Sequence, residues 1–218
     1  MMNSCFKYVE FYVGNAKQAS YYYRSAFDFD GYAYSGPETG NKKFISYVLN
    51  KNKIFFVFTS ALSKDHKIAR WVDLHGDGVS EIAFETSSVK EDYLYAIKNG
   101  AISSEEYNEF KSLEGLYKTA SVKTYGDVIH SFIDNSKYNG VWKPGFIKYS
   151  PAKISSYTVD LNIVDHIVAN VEDNKMNDWV KFYQDCFNFD TFIEFTEDDI
   201  ATKYSALRSK VMKSKNGK

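Results

Sequence analysis

The strongest constraint on this chain of 218 residues is that it repeats itself. The run Glu10-Phe11-Tyr12-Val13-Gly14-Asn15 matches Asp165-His166-Ile167-Val168-Ala169-Asn170. Farther on, Tyr23-Arg24-Ser25-Ala26-Phe27-Asp28-Phe29-Asp30 matches Tyr183-Gln184-Asp185-Cys186-Phe187-Asn188-Phe189-Asp190. An insertion of about five residues, around Glu172 to Met176, reconciles the spacing of the two matches. A recurring unit is one supersecondary block that buries its apolar face only against a neighbour, so the chain must fold as associated copies.

The hydrophobic period shows what each copy contains. Phe6 to Val13 reads as a strand of β-branched and aromatic residues, and Ala16 to Phe27 places Ala19, Tyr22, Tyr23, Ala26 and Phe27 on one helical face. Phe44 to Leu49 and Ile54 to Thr59 return to strand across a hairpin turn at Asn50 to Lys53. The pattern then restarts: Val79 to Phe84 is a strand, and Ser88 with Glu91 predicts a capping box for a helix through Val89, Tyr93, Ala96 and Ile97, with Gly100 at its stop. Strands over Ala120 to Tyr125 and Val128 to Ile133 follow, joined across Gly126-Asp127. Strand, helix, several strands, performed twice, is an α+β reading. A third copy carries Trp179, Val180, Tyr183, Cys186 and Phe187 on one helical face.

Two of the three prolines, Pro144 and Pro151, fall in the Gly- and Ser-containing stretch 140–156, the best candidate linker. The expected division is a two-module domain over 1–140, a linker over 141–158 and a third module over 159–218. One module alone offers an open sheet with an unpaired edge, so the chain after Ser156 is expected to be only conditionally ordered.

Composition excludes several classes. The 27 Lys and Arg balance 28 Asp and Glu, leaving no basic excess to neutralise a phosphate backbone, so nucleic acid is not an expected partner. Runs such as Ile54-Phe55-Phe56-Val57-Phe58 are too short to span a bilayer, and Met1 to Glu10 shows no secretory pattern. Two cysteines, Cys5 and Cys186, make no disulfide framework, which suits a reducing cytoplasm.

Among groups that could carry chemistry, His66 and His75 lie in polar surroundings and read as surface or loop residues, and His130 as an ordinary strand residue. Cys186 falls on an apolar helical stripe and reads as a packing residue. His166 differs, because alternation along a strand would set Val164, His166 and Val168 on one face and Asp165, Ile167 and Ala169 on the other. An imidazole between two valines is either a satisfied core histidine or a ligand in an apolar cavity, and the repeat sets it against Phe11.

Several short motifs occur in a fixed order: Val13-Gly14-Asn15-Ala16-Lys17-Gln18-Ala19, Glu38-Thr39-Gly40, Ser60-Ala61-Leu62, His75-Gly76-Asp77-Gly78-Val79, Lys123-Thr124-Tyr125-Gly126-Asp127, Pro144-Gly145, Asp165 to Asn170, and Tyr204-Ser205-Ala206-Leu207-Arg208-Ser209. With them the chain resembles the front part of the 4-hydroxyphenylpyruvate dioxygenase family, of the vicinal-oxygen-chelate group. The resemblance implies βαβββ modules with mixed curved sheets in barrel-like domains. It also implies Fe(II) held by two histidines and a glutamate, and a small aromatic 2-oxo acid and O2 as substrates in tyrosine and phenylalanine breakdown. His166 falls on the first of those histidines, while Val168 and Ser209 match substrate-pocket residues. Glu81 falls in the domain that binds no metal in this family. The chain ends at Lys218 before the other two ligands could appear, so the resemblance implies weak iron binding and no activity for these residues alone. Hydroxymandelate synthase and a non-catalytic binding or scaffold relic of the same fold remain alternatives, and a homo-oligomer through the front domain stays open.

Overall fold

The computed structural model describes residues 5–196 and 208–215. The first module is β1 (Cys5–Tyr12), α1 (Ala16–Ala26), β2 (Asp30–Ser35), β3 (Phe44–Lys51) and β4 (Ile54–Ala61). A helix α2 (Lys67–His75) leads to the second: β5 (Gly78–Glu85), α3 (Val89–Lys98), β6 (Ser103–Ser112), β7 (Gly115–Lys123) and β8 (Ile129–Tyr138). A short β9 (Ile147–Lys148), then α4 (Met176–Phe187), β10 (Asp190–Phe195) and β11 (Ser209–Lys213) follow. This is the expected α+β fold of repeated βαβββ modules.

Nine strands form one mixed sheet in the order β6-β7-β8-β5-β1-β4-β3-β2-β9. The order reads the same way outwards from the β1–β5 seam. β1 pairs β4 in parallel and β5 pairs β8 in parallel, while β1 and β5 meet antiparallel with Glu10 opposite Glu81. Bulges interrupt that seam between Phe6 and Tyr8 and between Glu10 and Phe11, the usual device for bending a sheet.

Alternation along each strand separates an inner face from a helix-covered face. Tyr8, Ala33, Val48, Val57, Ala83, Tyr117, Ile133 and Trp142 pack together on the inner side. On the other side α1 lies over Phe29, Leu49 and Phe58, with Phe11 and Tyr23 joining them. The matching position in the second module is shared by α3 and α4, through Phe84, Val89, Tyr93, Phe132, Cys186 and Phe187. Cys186 is thus the buried packing residue its helical stripe implied.

Local chemistry sets the helix ends. The Asn15 side chain accepts from the Gln18 N–H at 3.0 Å, capping α1. The capping box expected at Ser88 does not form: its side chain makes no cap bond, and its N–H donates to Thr86 Oγ1 at 3.1 Å. Thr86 in turn donates to Asp92, so a threonine bridge holds the first turn of α3. All three module helices stop at a left-handed residue, Asp28 (φ 57), Gly100 (φ 105) and Asn188 (φ 55).

The segment after β9 runs as irregular chain to α4, tied to the first module. Arg24 Nη2 donates to the Ala152 carbonyl at 2.6 Å, and Asn52 Nδ2 to that of Leu161 at 2.6 Å. Lys51 and Lys153 both reach the buried Asp28 carboxylate, at 2.7 and 2.8 Å. Among the described residues no helix is long and apolar enough to cross a membrane.

Candidate functional site

His166 and Val168 lie in that irregular segment and Ser209 at the start of β11, opposite Phe195. The strand expected over 164–169 is not formed. Val164 packs on the first module's helix-side core and Ile167 on the second's, three residues apart. That spacing leaves the His166 side chain 69% exposed, beside Asp165 at 2.8 Å, and Val168 73% exposed. The physical reason is pairing. A strand keeps a period of two because neighbours take its N–H and C=O groups on both sides, as β4 and β5 do for β1. No described strand lies beside 164–169, so the segment docks through whichever apolar side chains reach a surface. Tyr204 to Leu207, part of the last motif, lie outside the described residues.

Among the described residues no group of three His, Cys, Asp or Glu side chains could hold a metal ion. His66 caps α2, accepting from the Ile68 N–H, and His75 ends that helix 3.0 Å from Asp127, so both have local structural roles.

His130 is more than an ordinary strand residue. It is 1% exposed, with Nδ1 3.1 Å from the Ile129 carbonyl and Nε2 2.7 Å from the Tyr183 hydroxyl of α4. Burial pushes its pKa down to about 4, so it is neutral and joins the third module's helix to the second module's sheet.

The most unusual chemistry lies on the inner face at the module seam. Glu10 is buried, accepts a hydrogen bond from Thr59, and stands opposite Glu81 in the ladder, which accepts from the Tyr8 hydroxyl at 2.6 Å. Trp142 covers Tyr8, with ring centroids 5.3 Å apart, and the Lys143 ammonium stands 6.0 Å from the Tyr8 ring. A sequence signal was available, since each glutamate interrupts an otherwise apolar or small run, Tyr8-Val9-Glu10-Phe11 and Val79-Ser80-Glu81-Ile82.

No family model matches the chain. It is 40% identical to a 4-hydroxyphenylpyruvate dioxygenase of Dictyostelium discoideum over 98% of its own length and 59% of that protein's. It is 34% identical to the Yarrowia lipolytica protein of the same name, over 98% of this chain and 56% of that one. The chain therefore spans a little over half the length of the curated relatives it matches. Among solved structures, a triple mutant of 4-hydroxymandelate synthase from Streptomyces coelicolor superposes with a TM-score of 0.84 at 23% identity, covering all of this chain and 61% of the other. A xylose isomerase-like TIM barrel/4-hydroxyphenylpyruvate dioxygenase fusion protein matches 98% of this chain and 31% of its own, with a TM-score of 0.65 at 14% identity. Over nearly all of its residues this chain is thus similar in sequence to 4-hydroxyphenylpyruvate dioxygenases, and it shares the repeated-module fold of the 4-hydroxymandelate synthase structure.

Proposed function

We propose that the polypeptide carrying residues 1–218 is an iron(II)-dependent dioxygenase of the cytoplasm that converts 4-hydroxyphenylpyruvate and O2 to homogentisate and CO2. The observation that carries this is the 40% identity sustained along 98% of the chain. In this reading His166 takes the place of one iron ligand and Val168 and Ser209 those of pocket residues, the described residues alone not completing an iron site. In the same reading residues 1–140 form the two-module front domain, 141–158 the linker and 159–218 the start of the iron-binding domain.

A ligand must stand on an inner-face position, and the structure of β1 bears on which one. Phe11, the residue matched to His166 by the repeat, turns towards α1, stacking on Phe58 at 5.1 Å. The inner face of β1 carries Tyr8 and Glu10. Sliding the match by three residues sets Tyr8 against His166, Glu10 against Val168, and Val13-Gly14-Asn15 against Val171-Glu172-Asp173. It also shortens the insertion before the helix to about two residues, a less disruptive loop. In this register His166 and Val168 face one cavity together once their strand is paired.

The test joins residues 1–218 to the remaining length of the Dictyostelium relative and assays 4-hydroxyphenylpyruvate turnover and bound iron. Homogentisate formation, lost with bound iron in His166→Ala, is expected. Hydroxymandelate as product would favour the synthase reading that the 0.84 superposition brings in. A folded chimera with neither product would overturn the proposal.

A further inference from the structure

The inner face of the front sheet holds a titratable cluster that the proposed reaction does not use. Glu10 and Glu81 are Cα partners across the antiparallel β1–β5 ladder, the only direct joint between the first and second modules in the described sheet order. That register sets the two carboxyls at the same point of the seam, Glu10 accepting from Thr59 and Glu81 from Tyr8. The surroundings supply few other donors: Ser46 stands behind Thr59 at 2.7 Å.

We propose that the buried Glu10 carboxyl keeps a proton where it stands opposite Glu81, and that this proton is a pH-sensitive latch holding the first module's sheet to the second's. With one proton the pair carries one negative charge, which the Lys143 ammonium balances, so the cluster under Trp142 is close to neutral. Removing the proton leaves a second, uncompensated charge in a buried space, which is costly. The remaining groups facing the pair do not relieve it. Tyr8 and Tyr12 of β1 and Tyr117 of β7 keep their protons, burial holding all three far above the ordinary tyrosine range, and Glu105 of β6 adds negative charge nearby.

Burial is the main force pushing Glu10 up from 4.5 to about 7; Lys143 opposes it and Glu81 adds to it. A carboxyl raised on folding contributes stability that is complete below the unfolded value and is lost as the pH climbs through the folded one. The latch should therefore loosen between about pH 4.5 and 7, opposite to ordinary acid denaturation.

The experiment is a carboxyl 13C NMR titration of the 218-residue chain, with denaturant unfolding across the same pH range. In the wild-type chain Glu10 should titrate near neutrality. Glu81→Gln should lower its midpoint by about one unit or more, since the repelling partner becomes an amide donor. Lys143→Met should raise the midpoint. Because Lys143 stands on the partly exposed segment over the sheet, that variant tests the idea even if Glu81→Gln fails to fold. A wild-type Glu10 titrating in the usual carboxylate range, or a midpoint unmoved by either substitution, would overturn the proposal.

Discussion

β1 and the 164–169 segment have closely similar apolar patterns and opposite fates. β1 is the central strand of nine, with β4 and β5 saturating both of its edges. The 164–169 segment pairs with nothing among the described residues and lies as irregular chain, its histidine turned to water. Their helices do not differ in this way. α1 and α4 both bury one apolar face, and both close with the same kind of backbone bond. Phe29 N–H reaches the Tyr23 carbonyl at 3.4 Å, and Phe189 N–H reaches the Tyr183 carbonyl at 3.2 Å. A helix satisfies its own backbone and needs only an apolar surface, whereas a strand needs neighbours before its side-chain period means anything. The third module's order is thus borrowed from the second module through α4.

The largest test of that borrowing compares two phenylalanines. Phe58 is 1% exposed within the first module, and Phe187 is 2% exposed between α4 and the second module, stacked on Phe132 at 5.6 Å. Either Phe→Ala change removes a full aromatic side chain from a packed site, costing about 3–5 kcal/mol. Phe58→Ala should lower the stability of the whole front sheet. Phe187→Ala should leave that sheet's unfolding midpoint nearly unchanged and free α4, read as lost hydrogen-exchange protection over 176–187. If Phe187→Ala lowers both equally, the third module is an integral part of the front domain.

The same contrast explains what was legible in the sequence. β1, α1, the β3–β4 hairpin and α3 were readable because each combines a clean period with a cap or turn residue. β6 was missed because Ser103-Ser104-Glu105-Glu106-Tyr107-Asn108-Glu109-Phe110 shows little alternation: it is an edge strand, mostly solvated on both faces. β2 was hidden by Gly31, and α2 by its shortness and by a stop, Gly76 with φ 75, that looked like part of a loop. The 164–169 strand was legible as a pattern and absent as a structure, because pairing is not written in the segment itself. Of the candidate site, residue types could be read, but the inner-face direction of Tyr8 and Glu10 depends on the bulges in β1.

Acid should separate the two regions next. Burial depresses the His130 pKa from 6.5 to about 4, so the folded state binds fewer protons and loses stability as pH falls through that window. The full effect is about 3 kcal/mol at roughly 1.4 kcal/mol per unit. Because Nε2 meets Tyr183, this loss belongs mainly to α4 docking. Exchange protection in α4 should decline between about pH 6.5 and 4 before protection in β1 does, and His130→Gln should flatten that slope. A parallel decline in both elements would contradict separate docking.

Proteolysis gives a smaller, local readout. The first cuts should fall within 154–175, where irregular chain is held by scattered side-chain bonds, before any cut in the paired 44–61 hairpin. Initial cleavage inside that hairpin would remove the basis for treating 1–140 as the closed unit.

The finest comparison concerns the two left-handed stops that are not glycine. Asn188 at φ 55 and Asp28 at φ 57 hold the same conformation, but they hold it differently. Asp28 is buried between Lys153 and Lys51, which keep its pKa down at about 2, whereas Asn188 relies on backbone geometry and partial exposure. Asn188→Gly should therefore change stability by only a few tenths of a kcal/mol, and Asn188→Ala should cost about 1 kcal/mol because alanine lacks the local side-chain hydrogen bonding that lets asparagine hold a left-handed backbone. Asp28→Gly permits the same φ but strands two lysines, one of them anchoring the chain at 153, so it should destabilise more than Asn188→Gly. Calorimetric midpoints for the three variants decide the matter. If Asp28→Gly is as harmless as Asn188→Gly, the lysine clamp contributes nothing, and the first module ends its helix by backbone geometry alone, as the third does.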